Sequence, residues 1–437
     1  MKITIIGTGY VGLVTGLCFA EFGFEVTCVD RDPAIIARLE KSEATIFEPG
    51  LENLLSRNSK AGRVSFTADT VAAVKSAQII FIAVGTPTGK TDGTADLSYI
   101  MGAADEIADA MNAGSIIVIK STVEVGTSEA VRQRIAARRP GVVFHMVSNP
   151  EFLREGSAIE DFMRPDRVVV GTNSEVAREA MQRLYRPLNL RQTPIVFTTP
   201  ENAELIKYAA NAFLAIKVSF INQIADLCEK TGGNVQDVAK ALGMDGRIGP
   251  KFLHPGPGFG GSCFPKDTRA LAAIGRKHGA PQKLVEATEE LNEVRKTNMA
   301  DRIIELAKTE KGNTIALLGV AFKPNTDDIR EAPALTIIEH LLSAGYNVRA
   351  HDPEAMDAAK LLYPTVHWCN SAYEAAIGAD VTVLVTEWNV YRAIDLPTLA
   401  QSMAGKSFLD LRNVYQPADV NGSGLVYHSV GRQTIYS

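Results

Sequence analysis

Apolar residues in this chain gather in short runs that stop at glycine, asparagine or aspartate. Longer stretches with apolar positions three and four apart lie between those runs. The run 3–6 predicts a buried strand, 7–12 a glycine turn, the next stretch a helix to about Phe22, and 25–30 a second strand. Further strands are expected at 78–84, 115–120, 142–147 and 167–171. Strands alternating with helices in this way imply a mostly parallel sheet covered on both faces.

The rhythm changes near residue 199. Thr199 and Pro200 supply a cap and a first helical position, and an amphipathic run to about Thr231 predicts one long helix, stopped by Gly232 and Gly233. A loop dense in Gly and Pro covers 243–265, and helix resumes as far as about Lys308. Strands expected at 314–318, 347–350, 381–385 and 407–409 then echo the first pattern without its glycine turn. The expected fold is α/β: two Rossmann-like, doubly wound domains, 1–198 and 309–437, joined by a long central helix within a helical segment, 199–308.

Bulk numbers narrow the function. The 437 residues carry 45 basic and 50 acidic side chains with no basic block, which gives no track for nucleic acid. No apolar run is long enough to span a bilayer. Five cysteines, odd in number and far apart, fit a reducing cytoplasm rather than a disulfide framework or structural zinc. His145, His254 and His351 have no metal-ligand spacing, so no metal is expected.

The candidate chemistry begins at Gly7-x-Gly9-x-x-Gly12. These glycines follow a strand, open a helix and let backbone N–H groups approach a pyrophosphate. Asp30, closing the second strand, is placed to accept from a ribose hydroxyl and to repel a 2′-phosphate, which favours NAD. Thr86 and Thr122 sit where two later strands end, the edge at which open α/β sheets bind ligands. Glu151 and Glu155 share a face if their segment is helical; a solvated face would look the same. Lys207 and Asn211, four apart on the long helix, suit stabilisation of an alkoxide or oxyanion, although a lysine near a helix start is often only exposed. Cys263 lies in Gly-Phe-Gly-Gly-Ser-Cys-Phe-Pro-Lys-Asp. As a thiolate it could add to an aldehyde and present a transferable hydrogen; as a thiol it could merely fill space. Lys266 would lower its pKa, while Asp267 would oppose that or activate water. The basic residues of 322–330 suit phosphate or a charged surface.

The strings Gly-Thr-Gly-Tyr-Val-Gly, Gly-Thr-Pro, Lys-Ser-Thr-Val, Asn-Pro-Glu-Phe-Leu-Arg-Glu-Gly and the Cys263 string, in that order, resemble the nucleotide-sugar 6-dehydrogenase family over nearly the whole chain. The resemblance implies an NAD-dependent, four-electron oxidation of UDP-glucose through a thiohemiacetal and a thioester; GDP-mannose or a UDP-N-acetylhexosamine is the alternative substrate, and a non-catalytic sensor the alternative role. It implies Cys263 as nucleophile, Lys207 with Asn211 as oxyanion donors, Asp267 and Thr122 on water, and Glu151 as acid/base. The cofactor contacts implied are Gly7, Gly9, Tyr10, Val11, Gly12, Asp30, Thr86, Thr122, Glu155, Lys266 and Arg330. The implied sugar-nucleotide contacts are Phe152, Leu153, Glu155, Lys207, Asn211, Phe252, Leu253, Gly256, Gly260 and Lys323. Arg247 would reach a neighbouring subunit's ligand in a homodimer or larger homo-oligomer.

Overall fold

Runs such as Ile79–Ile82 and Ile116–Ile119 have no polar face, so they are stable only where helices cover them on both sides, and all eight residues are buried. A computed structural model describes residues 1–87, 89 and 95–436, divided into two units, Met1–Ala210 and Asn211–Ser437. The boundary falls inside the helix Pro200–Thr231.

The first unit holds strands β1 (Lys2–Ile6), β2 (Glu25–Val29), β3 (Val64–Thr67), β4 (Ile79–Ile82), β5 (Ile116–Ile119), β6 (His145–Ser148), β7 (Val168–Gly171) and β8 (Ile195–Thr198). They form one sheet in the order β3-β2-β1-β4-β5-β6-β7-β8, parallel except where β7 meets β6. The short strands β3 and β8 are not legible as apolar runs: Val64 and Phe66 alternate with Ser65 and Thr67, and β8 is only partly buried. Because β1, β4, β5 and β6 are parallel, the glycine turn, Thr86, Thr122 and Glu151 all come after strand ends on the same carboxyl edge. Chain order reverses beside β1, which makes this edge a ligand crevice.

The second unit holds β9 (Thr314–Leu318), β10 (Asn347–His351), β11 (His367–Trp368), β12 (Val381–Leu384), β13 (Ser407–Asp410), β14 (Val426–Ser429) and β15 (Ile435–Tyr436). Their order is β11-β10-β9-β12-β13-β14-β15, parallel save for the last pair. Among the described residues no helix is long and apolar enough to cross a membrane.

The two sheets repeat one device. Gly7 and Gly319 come directly after their first strands with φ of 97° each, and each donates its N–H at 2.8 Å to the residue closing the neighbouring strand, Val29 or His351. A Cβ at Gly319 would lie 2.4 Å from that of Thr386, so only glycine fits. After Gly7 a helix starts at Tyr10; after Gly319 it waits until Pro333. The acid differs too. Asp30 is half-buried, whereas Asp352 is fully buried and accepts N–H bonds from Val320 (2.6 Å), Ala321 (3.0 Å) and Trp388 Nε1 (3.1 Å) on one oxygen. Its other oxygen takes Glu354 and Ala355. With its acceptors used inside the fold, the second turn has no acid left for a ribose.

Asp352→Asn would turn part of this acceptor into a donor facing N–H groups, at an expected cost of about 3 kcal/mol. The expected result is a lower denaturant midpoint. Asp30→Asn, half-exposed, should shift the midpoint far less.

Candidate functional site

In the first unit, a Cβ at Gly12 would lie 1.9 Å from the Gly7 carbonyl oxygen, so the turn closes only on glycine. Gly9 is exposed with nothing within 4 Å of a Cβ position, and the helix Tyr10–Glu21 begins without a side-chain cap. Open space against uncapped helical N–H groups is a cradle that suits a pyrophosphate, so the residues present fit a dinucleotide. Asp30 Oδ2 accepts from Thr8 N (3.1 Å) and Thr8 Oγ1 (2.6 Å), which fixes the carboxylate beside the turn. Arg31 is drawn away, its guanidinium 4.8 Å from the Tyr99 ring centroid. Val11, Thr86 and Thr122 are half-buried, and Ser121 Oγ donates to the Val84 carbonyl at 2.7 Å, tying two strand ends together.

The stretch 151–156 is not helical; a short helix starts only at Ala158. Residues 151–154 form no helix or strand and 155–156 make a turn with Gly156 at φ 75°, so the shared helical face expected for Glu151 and Glu155 does not exist. Glu151 is buried and Glu155 half-buried. Glu151 Oε1 accepts from Lys207 Nζ at 2.9 Å, and Oε2 from Leu153 N at 2.5 Å. Lys207 is therefore buried rather than exposed. Burial alone would raise the Glu151 pKa, but the charge and hydrogen bond of Lys207, with Leu153 N–H and Lys120, hold it below its ordinary value. Burial, with Lys207, pulls Lys120 down to about 8 against the attraction of Glu151. Lys120 Nζ donates to Asn149 Oδ1 (3.2 Å) and Tyr185 Oη (3.4 Å). The Phe152 ring lies under Arg167, 3.7 Å from its centroid, and Leu153 is half-buried.

In the second unit, Cys263 is the N-cap residue of the helix Phe264–Lys277 and is partly exposed. Its sulfur lies 3.5 Å from Ser262 Oγ. A helix start favours negative charge, which suits a thiolate there. Asp267, one turn on, donates its N–H to the Cys263 carbonyl at 2.8 Å. Its buried carboxylate accepts from Asn211 Nδ2 at 2.6 Å and Lys266 Nζ at 2.7 Å. Lys266 thus pairs with Asp267. Both partners offset the charge that Asp267 places near the helix start.

The loop that precedes Cys263 is pinned from below. Gly256 N donates to Asn222 Oδ1 (2.8 Å) and its carbonyl accepts from Arg295 Nε (3.0 Å), while Asn292 grips both backbone polar groups of Phe259. Phe252 has φ 66°, an uncommon left-handed conformation for a side chain of that size, and its ring lies 5.8 Å from that of Phe264. The Leu253 side chain joins the hydrophobic core, leaving its backbone for any ligand. A Cβ at Gly260 would stand 2.3 Å from the Glu331 carbonyl oxygen, and Gly261 N donates to the Arg330 carbonyl at 2.8 Å. The Cys263 loop therefore packs directly on the turn that carries Lys323 and Arg330. Arg330 itself is exposed and pairs with Asp328 at 2.8 Å; Arg247 is exposed and pairs with Asp245 at 2.6 Å.

Sequence reasoning missed Arg412, which lies two residues beyond the end of β13 at the carboxyl edge of its sheet. It donates to the carbonyls of Val385 (2.8 Å) and Phe322 (3.2 Å), and its Nη1 would be 3.1 Å from a Cβ at Gly256. Asn222, Asn292 and Arg295 were missed too. A signal existed for the first of these, since Glu204, Lys207, Asn211, Ser219 and Asn222 form a buried polar row along one helix.

Comparison with known proteins agrees with this geometry. Residues 1–189 match the NAD binding domain of the UDP-glucose/GDP-mannose dehydrogenase family, 201–294 its central domain and 316–417 its UDP binding domain. A UDP-glucose 6-dehydrogenase of Rhizobium meliloti (strain 1021) is 52% identical over 435 residues, covering 99% of this chain and 100% of the relative. A UDP-glucose dehydrogenase structure from Pyrobaculum islandicum superposes with a TM-score of 0.90 at 36% identity, covering 99% of this chain and 98% of the other. A UDP-D-ManNAc dehydrogenase from Pyrococcus horikoshii gives 0.86 at 26% identity, covering 99% of each. A glycine turn fitted to a dinucleotide, a thiol at a helix start and three matched domains in order make the chain a member of the UDP-glucose/GDP-mannose dehydrogenase family.

Proposed function

We propose that this enzyme oxidises the C6 alcohol of UDP-glucose to the carboxylate of UDP-glucuronate. The observation that carries the reading is Cys263 at the start of its helix, one turn before the buried Asn211–Asp267–Lys266 constellation. NAD, when bound at the Gly7–Gly12 turn beside Asp30, supplies the hydride acceptor for both oxidations. The greater identity to a relative named for UDP-glucose than to one named for UDP-D-ManNAc supports the choice of sugar.

In this reading the Lys207 ammonium and the Asn211 amide donate to the alkoxide of the first stage and to the oxyanions of the second. The Cys263 thiolate adds to the aldehyde carbon, and the carbonyl oxygen takes a proton to give a thiohemiacetal. Loss of its hydride leaves a thioester. Water, oriented by Asp267 and Thr122 with Glu151 as proton acceptor, adds to that carbon; the C–S bond breaks and the thiolate returns. The loop of Phe252, Leu253, Gly256 and Gly260, with Lys323, holds the nucleotide sugar. Phe152, Leu153 and Glu155 line the sugar and nicotinamide, and Lys266 and Arg330 serve the cofactor.

We also propose a homodimer in the cytoplasm, where Cys263 stays reduced. Phe213, Phe220 and Leu227, 61%, 47% and 57% exposed, recur every seven residues along one helix, an apolar stripe suited to a second copy. Arg247 would then reach the ligand of the partner copy.

Counting NADH decides the substrate: two per UDP-glucose and none from GDP-mannose is the expected result. Cys263→Ser should stall the second stage, and undiminished glucuronate from that variant would rule out the covalent step. Asn211→Ala should lower kcat by about 10²–10³-fold, the usual cost of one oxyanion donor.

The Glu151–Lys207 pair predicts a pH effect of definite sign. Glu151 is held below its unfolded value, so its stabilisation is present above the ordinary carboxylate range and is lost as pH falls through its folded pKa. Lys207→Met removes the main opposing charge while Leu153 N–H and Lys120 remain, so the loss of stability on acidification should shrink in that variant, read as a smaller fall in melting temperature with pH. Phe220→Glu should yield a monomer by gel filtration; a wild-type elution volume would remove the stripe as the interface.

A further inference from the structure

Glu48 is used by none of the chemistry above, yet it is a buried carboxylate whose hydrogen-bond donors, among the described residues, include no ammonium or guanidinium. Burying such a group is costly unless donors surround it. Four do. Oε2 accepts from the Tyr10 hydroxyl and from Gly156 N at 2.7 Å; Oε1 accepts from Ala158 N at 2.7 Å and Ile159 N at 3.4 Å. Gly156 N–H is shared with the Tyr10 oxygen at 2.6 Å. Burial and the neighbouring Glu48 hold the Tyr10 phenol far above its ordinary pKa, so it remains the donor in this bond.

These donors come from two functional strings. Tyr10 is the first residue of the helix that opens on the glycine turn. Gly156 ends the loop that begins at Glu151 and comes directly after Glu155. Elsewhere the same loop is fixed by Lys207 on Glu151 and by Asp161, which accepts Arg154 N at 2.8 Å and Arg154 Nη2 at 2.6 Å. The Tyr10 hydroxyl, bonded to Glu48 and to Gly156 N, ties the loop's exit to the dinucleotide turn. We infer that Tyr10 and Glu48 form a clamp that sets the position of the Glu151–Glu155 loop relative to bound NAD, with Glu48 as a positioning residue for the cofactor-dependent steps. This rests on the proposed dehydrogenase reading. An amide at position 48 would replace the carboxylate poorly, because its NH2 would face the N–H of Gly156 or, flipped, that of Ala158.

The test compares the full-length wild type with Tyr10→Phe, Glu48→Gln and the double variant. NADH affinity is measured by fluorescence, kcat and the KM for NAD with UDP-glucose, UDP affinity by calorimetry, and melting temperature in parallel. Tyr10→Phe should weaken NADH binding about fivefold and lower kcat about tenfold, the scale of one lost charge-assisted hydrogen bond. Its UDP affinity and melting temperature should stay near wild type. The double variant should be less impaired than the sum of the two single effects, since both act on the one Tyr10–Glu48–Gly156 cluster. Wild-type NADH affinity and kcat in Tyr10→Phe would overturn the clamp, as would a fall in melting temperature with unchanged kinetics, or additive effects in the double variant. Should Glu48→Gln fail to fold, Tyr10→Phe decides alone. If the wild type releases no NADH from UDP-glucose, the dehydrogenase reading falls, and NADH affinity still decides the clamp.

Discussion

Glu48, Glu151, Asp267 and Asp352 are carboxylates removed almost entirely from water, and each is given donors from its surroundings. An unpaired buried charge would neutralise or unfold its neighbourhood, so wherever one persists the surrounding backbone and side chains are held in place. Asp352 uses this to fix a turn, Glu48 to fix a loop against a turn, and Glu151 and Asp267 to fix an ammonium and an amide. The local rigidity that chemistry requires arises from how these charges are satisfied.

The second constraint is backbone proximity. Gly12 against Gly7, Gly319 against Thr386, and Gly260 against Glu331 leave no space for a Cβ. Both sheets use such an approach after their first strand, and they diverge in the segment beyond it. In the first, a helix start faces open space and a half-buried acid stands beside it. In the second, the helix is delayed and the acid is absorbed by five N–H groups. Similar architecture, with its polar groups satisfied differently, accounts for a dinucleotide turn in one unit and not in the other.

Much of this was legible in the chain. Buried strands announce themselves because runs like Ile79–Ile82 have no polar side, and the turn at Gly7 because glycine spacing, strand and acid occur in register. The strands β3 and β8 were not, since half-buried alternating segments look like loops. The helical face expected at 151–155 failed because the Glu151 side chain takes the Leu153 N–H and the Lys207 ammonium, and the left-handed Gly156 turns the chain. Arg412 was invisible because its use depends on a strand from late in the chain meeting the 256 loop.

By itself, then, the sequence determined which residue types stand at which strand ends, since period and turn chemistry act over a few residues. Only tertiary structure decided partnerships. Whether Lys207 meets water or Glu151, and whether Asn211 meets water or Asp267, depends on burial and on partners brought from distant segments. Hydrogen bonds in a low-dielectric interior are set by distances of a few tenths of an ångström, and no spacing along a chain encodes those.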